Sequence, residues 1–125
     1  MPMTYRIDAS KNVVRAVGSG VLTDDDVMTH RRRLTGDPEF SPQMCELSDI
    51  RQVTDFQVTP AGVRIMVAAD VKMLAAGGMH KLAIVADENV AYGMSRMYQT
   101  LDEPSIRSVG VFRRVEEAEE WLGIA

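Results

Sequence analysis

The chain has 125 residues, of which 46% are hydrophobic and 26% charged, which is typical of one globular domain, here residues 1–125, with its own core. A formal net charge of −4 argues against broad binding to nucleic acid or to anionic membranes, so neither partner is expected. A single cysteine excludes an internal disulfide. With no signal-peptide pattern and no apolar run long enough to span a membrane, the sequence predicts a soluble cytoplasmic protein without membrane insertion.

The first third of the chain predicts a β-hairpin followed by a capped helix. Residues 5–8 and 12–17 are strand-like and are separated by polar turn residues, and the Gly-Ser-Gly segment that follows is expected to loosen the strand end. Thr23 and Asp26 have the spacing of a capping box, so a helix is expected from here to Gly36.

Strands and helices alternate in the rest of the chain. Such alternation predicts βαβ units, right-handed crossovers and a mostly parallel sheet with helices packed against it. The segment from Arg51 to Val58 is interpreted as an irregular connection. The complete order is ββαβαβαβα, an α/β fold, with strands expected at 44–50, 82–85 and 109–112 and helices at 59–76, from Asp87 to Pro104, and after Val115.

The loop after the third strand is the first candidate site. Ligand sites in open α/β sheets lie at the carboxyl ends of parallel strands, where Asp49 is expected. Thr59 precedes Pro60 at a helix N-terminus, whose hydroxyl and free amides can receive an anion. We therefore predict a partner or ligand site that includes Asp49, Asp55 and Thr59. The alternative is an ordinary helix cap and a loop acid bonded to backbone amides.

The second helix carries more apolar residues than one sheet contact requires. One projected face holds Val63, Val67, Val71 and Leu74, and another holds Ile65, Met66, Ala69 and Met73. An extra apolar face is typical of an interaction surface, and symmetric dimers are the commonest soluble oligomers. We therefore predict a homodimer with Ile65, Met66 and Met73 at its interface. The alternative is burial under a neighbouring helix or loop.

Other chemistry-bearing residues favour structural roles. His30 and His80 lie in different elements with no cysteine or acid at ligand spacing, so no metal or other cofactor is expected. The basic run from His30 to Arg33 is interpreted as a solvated helix face. No nucleophile-elbow or phosphate-loop pattern is present, and an enzyme is not expected.

Several apolar side chains are assigned to the core. Cys45 lies in an apolar strand, which favours an inert thiol, and Trp121 lies on the apolar side of an acidic last helix. Core packing is also the simplest interpretation of four methionines that could instead line an adaptable apolar cavity: Met66, Met73, Met94 and Met97.

The order of elements, Asp49 at a strand end and Thr59-Pro60-Ala61-Gly62 opening the next helix resemble the SpoIIAA-like group of the STAS superfamily. The segments Gly20–Thr23 and Tyr92–Met97 are similar to that group as well, and the resemblance covers nearly the whole chain. It implies partner binding or small-ligand sensing without catalysis.

One position departs from the pattern of this group. In STAS anti-sigma factor antagonists the corresponding helix begins with an acid, two serines and a glycine, and the second serine is phosphorylated. Here Ala61 precedes Gly62, so the expected phosphoacceptor is missing, and Thr59 lies two residues earlier. The sequence thus predicts a non-enzymatic regulatory or protein-interaction module. The alternative is a protein that binds or senses a small apolar, lipid-like ligand.

Overall fold

The computed structural model describes residues 2–75, 81–101 and 108–125, with the side chains of residues 2–72 in the first of these ranges. The predicted helix end at Gly77-Gly78, His80, Pro104 and the side chain of Met73 lie outside the described residues. The elements are β1 (Met3–Asp8), β2 (Val13–Thr23), α1 (Asp24–Thr35), β3 (Cys45–Gln57), α2 (Pro60–Ala75), β4 (Lys81–Val85), α3 (Asn89–Leu101), β5 (Ser108–Phe112) and α4 (Val115–Leu122).

The five strands form one sheet in the order β1-β2-β3-β4-β5. β1 is antiparallel to β2, and the other neighbours are parallel, which confirms the predicted α/β fold. Because the strand order follows the chain without reversal, right-handed crossovers place α1, α2 and α3 on the same face of the sheet. Helix α4 follows the last strand and packs on the opposite face.

Two strands are longer than the sequence predicts. β2 continues through the glycine segment to Thr23, and β3 continues to Gln57 through the segment interpreted as an irregular connection. Beyond Asp49, β3 pairs only with β2, ending with Thr23 opposite Gln57. Exposed polar residues can occupy this two-stranded ribbon because water covers much of it. The pairing shifts register near Gly20, whose φ of 67° fits an irregular strand position.

The capping box predicted for α1 is confirmed. The Thr23 hydroxyl accepts from the Asp26 amide at 3.3 Å, and the Asp26 carboxylate accepts from the Thr23 amide at 2.8 Å. These two bonds satisfy backbone donors that the first turn of a helix leaves unpaired.

Helix α4 covers the face of the sheet opposite the other three helices. Ala118 is fully buried there. Trp121 is only partly buried, with its ring 5.6 Å from that of Phe112 and the Lys81 ammonium 5.1 Å from its centre. Trp121 therefore borders the core rather than filling it. Cys45 lies beside the same core, and burial raises the pKa of its thiol, as expected for an inert cysteine. The buried strand residues of this face are Val13, Leu47, Ala83 and Val85.

The orientation of α2 differs from the prediction. Its buried side consists of Gly62, Val63, Met66 and Asp70, so Met66 is 3% exposed while its neighbour Ile65 is 61% exposed. Neither of the two predicted apolar faces includes Asp70. In the structure Asp70 is completely buried and directs the helix toward the core.

A cluster of three side chains, which we call the Arg31–Asp70–Tyr98 cluster, explains this burial. Arg31 of α1 forms an ion pair with Asp70 of α2, with 3.2 Å between Nη2 and Oδ2. The Tyr98 hydroxyl of α3 donates to the same carboxylate and accepts from Arg31. The cluster joins all three helices, because a carboxylate inside a protein needs both a counter-charge and hydrogen bonds.

We expect Trp121→Ala to cost at most about 3 kcal/mol of unfolding free energy, the low end for removal of a large aromatic side chain, because the ring is only partly buried. Urea denaturation monitored by circular dichroism measures the change. A loss well above that value would mean that Trp121 contributes more to the stability of the core than its burial indicates.

Removal of Asp70 should be more damaging. Asp70→Ala leaves Arg31, whose side chain is 16% exposed, without its counter-charge, at an expected cost of about 3–5 kcal/mol in urea denaturation. Asp55→Ala is the matched control, because Asp55 is exposed and bonded to Gln57, and it should change stability by less than about 0.5 kcal/mol. The double variant Arg31→Met plus Asp70→Leu should recover most of the loss. Equal stabilities of Asp70→Ala and Asp55→Ala would contradict this role of the cluster.

Candidate functional site

A cavity of about 100 Å³ lies between the sheet and helices α1, α2 and α3, and we call it the helix–sheet cavity. Protein interiors seldom leave voids much larger than one water molecule. This volume approaches that of a cavity that holds one benzene ring in another protein. Much of its lining is apolar and comes from all three helices and from strands or loops below them, including Leu22, Phe56, Val58, Val63, Met66 and Met94.

Strand β3 supplies polar groups on the sheet side of the cavity. Successive side chains of a strand point to opposite faces, so Glu46, Ser48 and Ile50 all face the helices. The Glu46 carboxylate lies 2.8 Å from Nε2 of His30 on α1, and both side chains are less than 10% exposed. The Tyr5 ring packs edge-on against His30, with 5.7 Å between ring centres. The pair thus places a charged acceptor and an imidazole at one end of an otherwise apolar space.

Ser48 occupies an unusual position among the side chains of β3 that face the helices. Its parallel neighbours on the same face are Ala16 and Ile84, and the residue is 8% exposed. Within the described part of the chain its hydroxyl makes no hydrogen bond. Nearly all buried polar groups in folded proteins have a partner, and the exception among the described residues of the cavity wall is Nδ1 of His30.

The helix side of the cavity includes Arg31 and Tyr98 from the Arg31–Asp70–Tyr98 cluster, together with Ser95. Unlike Ser48, Ser95 is satisfied, because its hydroxyl donates to the Ala91 carbonyl at 2.8 Å. Each charged side chain that lines the cavity therefore contacts a group of opposite charge or a hydrogen-bonding partner within the protein. Such a site suits an uncharged molecule better than an ion.

The basic run from His30 to Arg33 is thus not a solvated face throughout. His30 is 5% exposed and Arg31 is largely buried, while Arg32 and Arg33 are exposed as expected. The partners that draw the first two residues inward lie on β3 and α2, 16 and 39 positions away in the chain. No local spacing in α1 could have revealed them.

The three residues of the predicted site, Asp49, Asp55 and Thr59, do not lie together in the structure. Asp49 and Asp55 lie six residues apart on one extended strand, which separates them by about 20 Å. Asp49 faces α4, in register with Val85, and receives hydrogen bonds from Arg51 at 2.9 and 2.7 Å. Burial opposes ionisation of Asp49, but the bonds from Arg51 hold its pKa below the usual value. Crevices in open sheets form where the strand order reverses, and here it does not reverse.

Thr59 acts as a helix cap, which was the alternative to an anion site. Its amide and hydroxyl donate to the Asp24 carboxylate at 2.9 and 2.7 Å, and its hydroxyl accepts from the Gly62 amide at 3.0 Å. A Cβ atom at Gly62 would overlap the Asp24 carboxyl group, so the two helix starts meet too closely for any larger residue. A carboxylate of the chain itself therefore lies at the N-terminus of α2.

A second depression, of about 370 Å³, lies on the α4 face of the sheet. It includes Arg15 and Asp49, which are bonded to Glu119 and to Arg51 respectively. These pairs occupy the groups that a charged ligand would need. The helix–sheet cavity remains the better candidate because its lining is mainly apolar and includes Nδ1 of His30, which is buried without a hydrogen-bond partner in the described part of the chain.

Among the residues that the structure describes, no three His, Cys, Asp or Glu side chains are placed to hold a metal ion. No helix in the described ranges is long and apolar enough to cross a membrane.

Comparison with known proteins identifies the fold. No family model matches the chain, and no curated protein matches it. A solved structure from Shewanella loihica PV-4, described as an uncharacterised protein of the DUF3478 family with a SpoIIAA-like fold, aligns with a TM-score of 0.61 at 16% identity. The alignment covers 96% of this chain and 93% of that chain. At this identity the likeness shows the fold alone, and the chain has the SpoIIAA-like fold that its sequence resembles.

Proposed function

We propose that the protein is a non-enzymatic cytoplasmic module that binds a small apolar molecule in the helix–sheet cavity. The observation that carries the proposal is a mainly apolar cavity of about 100 Å³ between the sheet and three helices. A ligand in this cavity removes apolar side chains of its lining from water, at about 25 cal/mol per Å² of buried apolar surface, so binding has a clear source of free energy.

The same site gives little support to an enzyme. His30 is engaged by Glu46, and Arg31 is engaged by Asp70 and Tyr98, so the ionisable groups at the cavity are committed to each other. Cys45, the only thiol, lies beside the core on the opposite face of the sheet. Ligand occupancy, rather than a reaction, is therefore the signal that this module would pass on.

We also propose that regulation does not pass through a kinase. Ala61 has no hydroxyl, and the hydroxyl of Thr59 donates to Asp24 at 2.7 Å. A phosphate on Thr59 would place a dianion against that carboxylate and remove the cap of α2. The repulsion makes Thr59 a poor substitute for the missing acceptor, so the level of the ligand or of a protein partner would control the module.

A second candidate function is protein interaction through the outer side of α2. Ile65 is 61% exposed and Val71 is 41% exposed on this helix, which is unusual for large apolar residues. We retain a homodimer through this side as a proposal, with Ile65 as its central residue. Met66 takes no part in it because Met66 faces the core.

Ligand binding predicts that toluene stabilises the protein. At ten times its dissociation constant, toluene should add about 1.4 kcal/mol to the unfolding free energy, seen as a higher melting temperature in calorimetry. Val27→Phe should abolish the effect, because Val27 lines the cavity and a phenyl ring would fill it. Val90→Phe is the matched control, since Val90 is 63% exposed on α3, and it should leave the effect intact. Stabilisation that persists in Val27→Phe would place the toluene elsewhere, and no stabilisation of the wild type would contradict the proposed function.

The dimer proposal predicts twice the chain mass in light scattering at micromolar concentration. Ile65→Glu should give a monomer, because it places a charge at the centre of an apolar interface. Val90→Glu adds the same charge at a similarly exposed position and should remain dimeric. A monomeric wild type would contradict the dimer, and a dimeric Ile65→Glu would contradict this interface.

A further inference from the structure

We infer that the helix–sheet cavity selects an uncharged molecule of about one aromatic ring in size that carries a hydroxyl group, and that the Ser48 hydroxyl recognises this group. The inference rests on the proposed function and names the chemical class of its ligand. It comes from one contrast between two buried serines on the cavity wall, Ser48 and Ser95.

Ser48 places a hydroxyl on the cavity wall. It is 8% exposed, lies in the middle of the sheet between Ala16 and Ile84, and faces the cavity together with Glu46 and Ile50. Its hydroxyl makes no hydrogen bond within the described ranges, and the same wall holds Nδ1 of His30, which is buried without a partner among these residues. A ligand hydroxyl can both donate and accept, and therefore suits the serine in either orientation.

The charges around the cavity exclude ionised ligands. Arg31 is neutralised by Asp70, so its charge is not available for an incoming carboxylate or phosphate, and Nε2 of His30 is occupied by Glu46 at 2.8 Å. An added ion would be buried without a counter-charge, which is far more costly than burial of a hydroxyl. The apolar surfaces of Leu22, Phe56 and Met66 accept the rest of the molecule.

The volume limits the size of the ligand. About 100 Å³ is somewhat less than the cavity of about 150 Å³ that binds benzene in another protein. A phenol or a short-chain alcohol fits this range with small side-chain movements. A long acyl chain does not fit the same space.

Isothermal titration with phenol, toluene and benzoate tests the inference on the full chain. Phenol and toluene have nearly the same shape and differ in one hydroxyl group. In Ser48→Ala, the affinity for phenol relative to toluene should fall by roughly threefold to tenfold compared with the wild type, the effect of one hydrogen bond. Ser95→Ala is the matched control, because its hydroxyl is already bonded to the Ala91 carbonyl, and it should leave the ratio unchanged. Benzoate should bind at least tenfold more weakly than phenol.

The outcomes separate the inference from the proposed function. Toluene binding with the same phenol-to-toluene ratio in the wild type and in Ser48→Ala would overturn the role of Ser48 and leave the cavity as a ligand site. Benzoate binding equal to that of phenol would overturn the selection of uncharged molecules. Absence of binding by all three compounds would overturn the proposed function and this inference together.

Discussion

The buried carboxylate of Asp70 is the constraint on which the helical layer of this protein depends. A charge with no access to water must be paired, and its partners Arg31 and Tyr98 come from the two helices on either side of α2. The Arg31–Asp70–Tyr98 cluster therefore fixes the rotation of α2 as well as its position. That rotation directs Val63 and Met66 toward the sheet and leaves Ile65 outside. Burial of an ion pair adds little stability by itself, but it penalises every arrangement in which the pair is broken.

The helix–sheet cavity borders the same cluster. Arg31 and Tyr98 form part of its wall, together with Ser48 and Ile50 of the sheet. The space lies between the Arg31–Asp70–Tyr98 cluster and the hydrogen-bonded pair of His30 and Glu46. Its polarity is thus low except at a few defined atoms, which is the usual character of a small-molecule site.

Much of the fold could be predicted from the sequence, and most of the site could not. Hydrophobic runs, helix caps and glycines are local signals in the sequence. The order of elements, the hairpin and the capping box at Thr23 could therefore be predicted. The length of β3 could not, because residues 51–57 are mostly polar and pair only with β2.

The buried face of α2 could not be predicted, because an aspartate in a helix is ordinarily exposed. The pairs of His30 with Glu46 and of Arg31 with Asp70 join distant parts of the chain, so no periodic pattern in the sequence reveals them. The predicted group of Asp49, Asp55 and Thr59 relied on a rule for sheets whose strand order reverses.

The strand order also bears on how the chain reaches its structure. Each strand pairs with the strands before and after it in sequence, so the sheet can grow by one βα unit at a time without closing long loops. Helix α4 is different, because Glu119 reaches back to Arg15 across 104 positions and Ala118 covers Leu47 and Val85. Until α4 docks, the apolar residues of that face are open to other chains. Docking of α4 therefore decides how long a nearly complete sheet remains prone to aggregation.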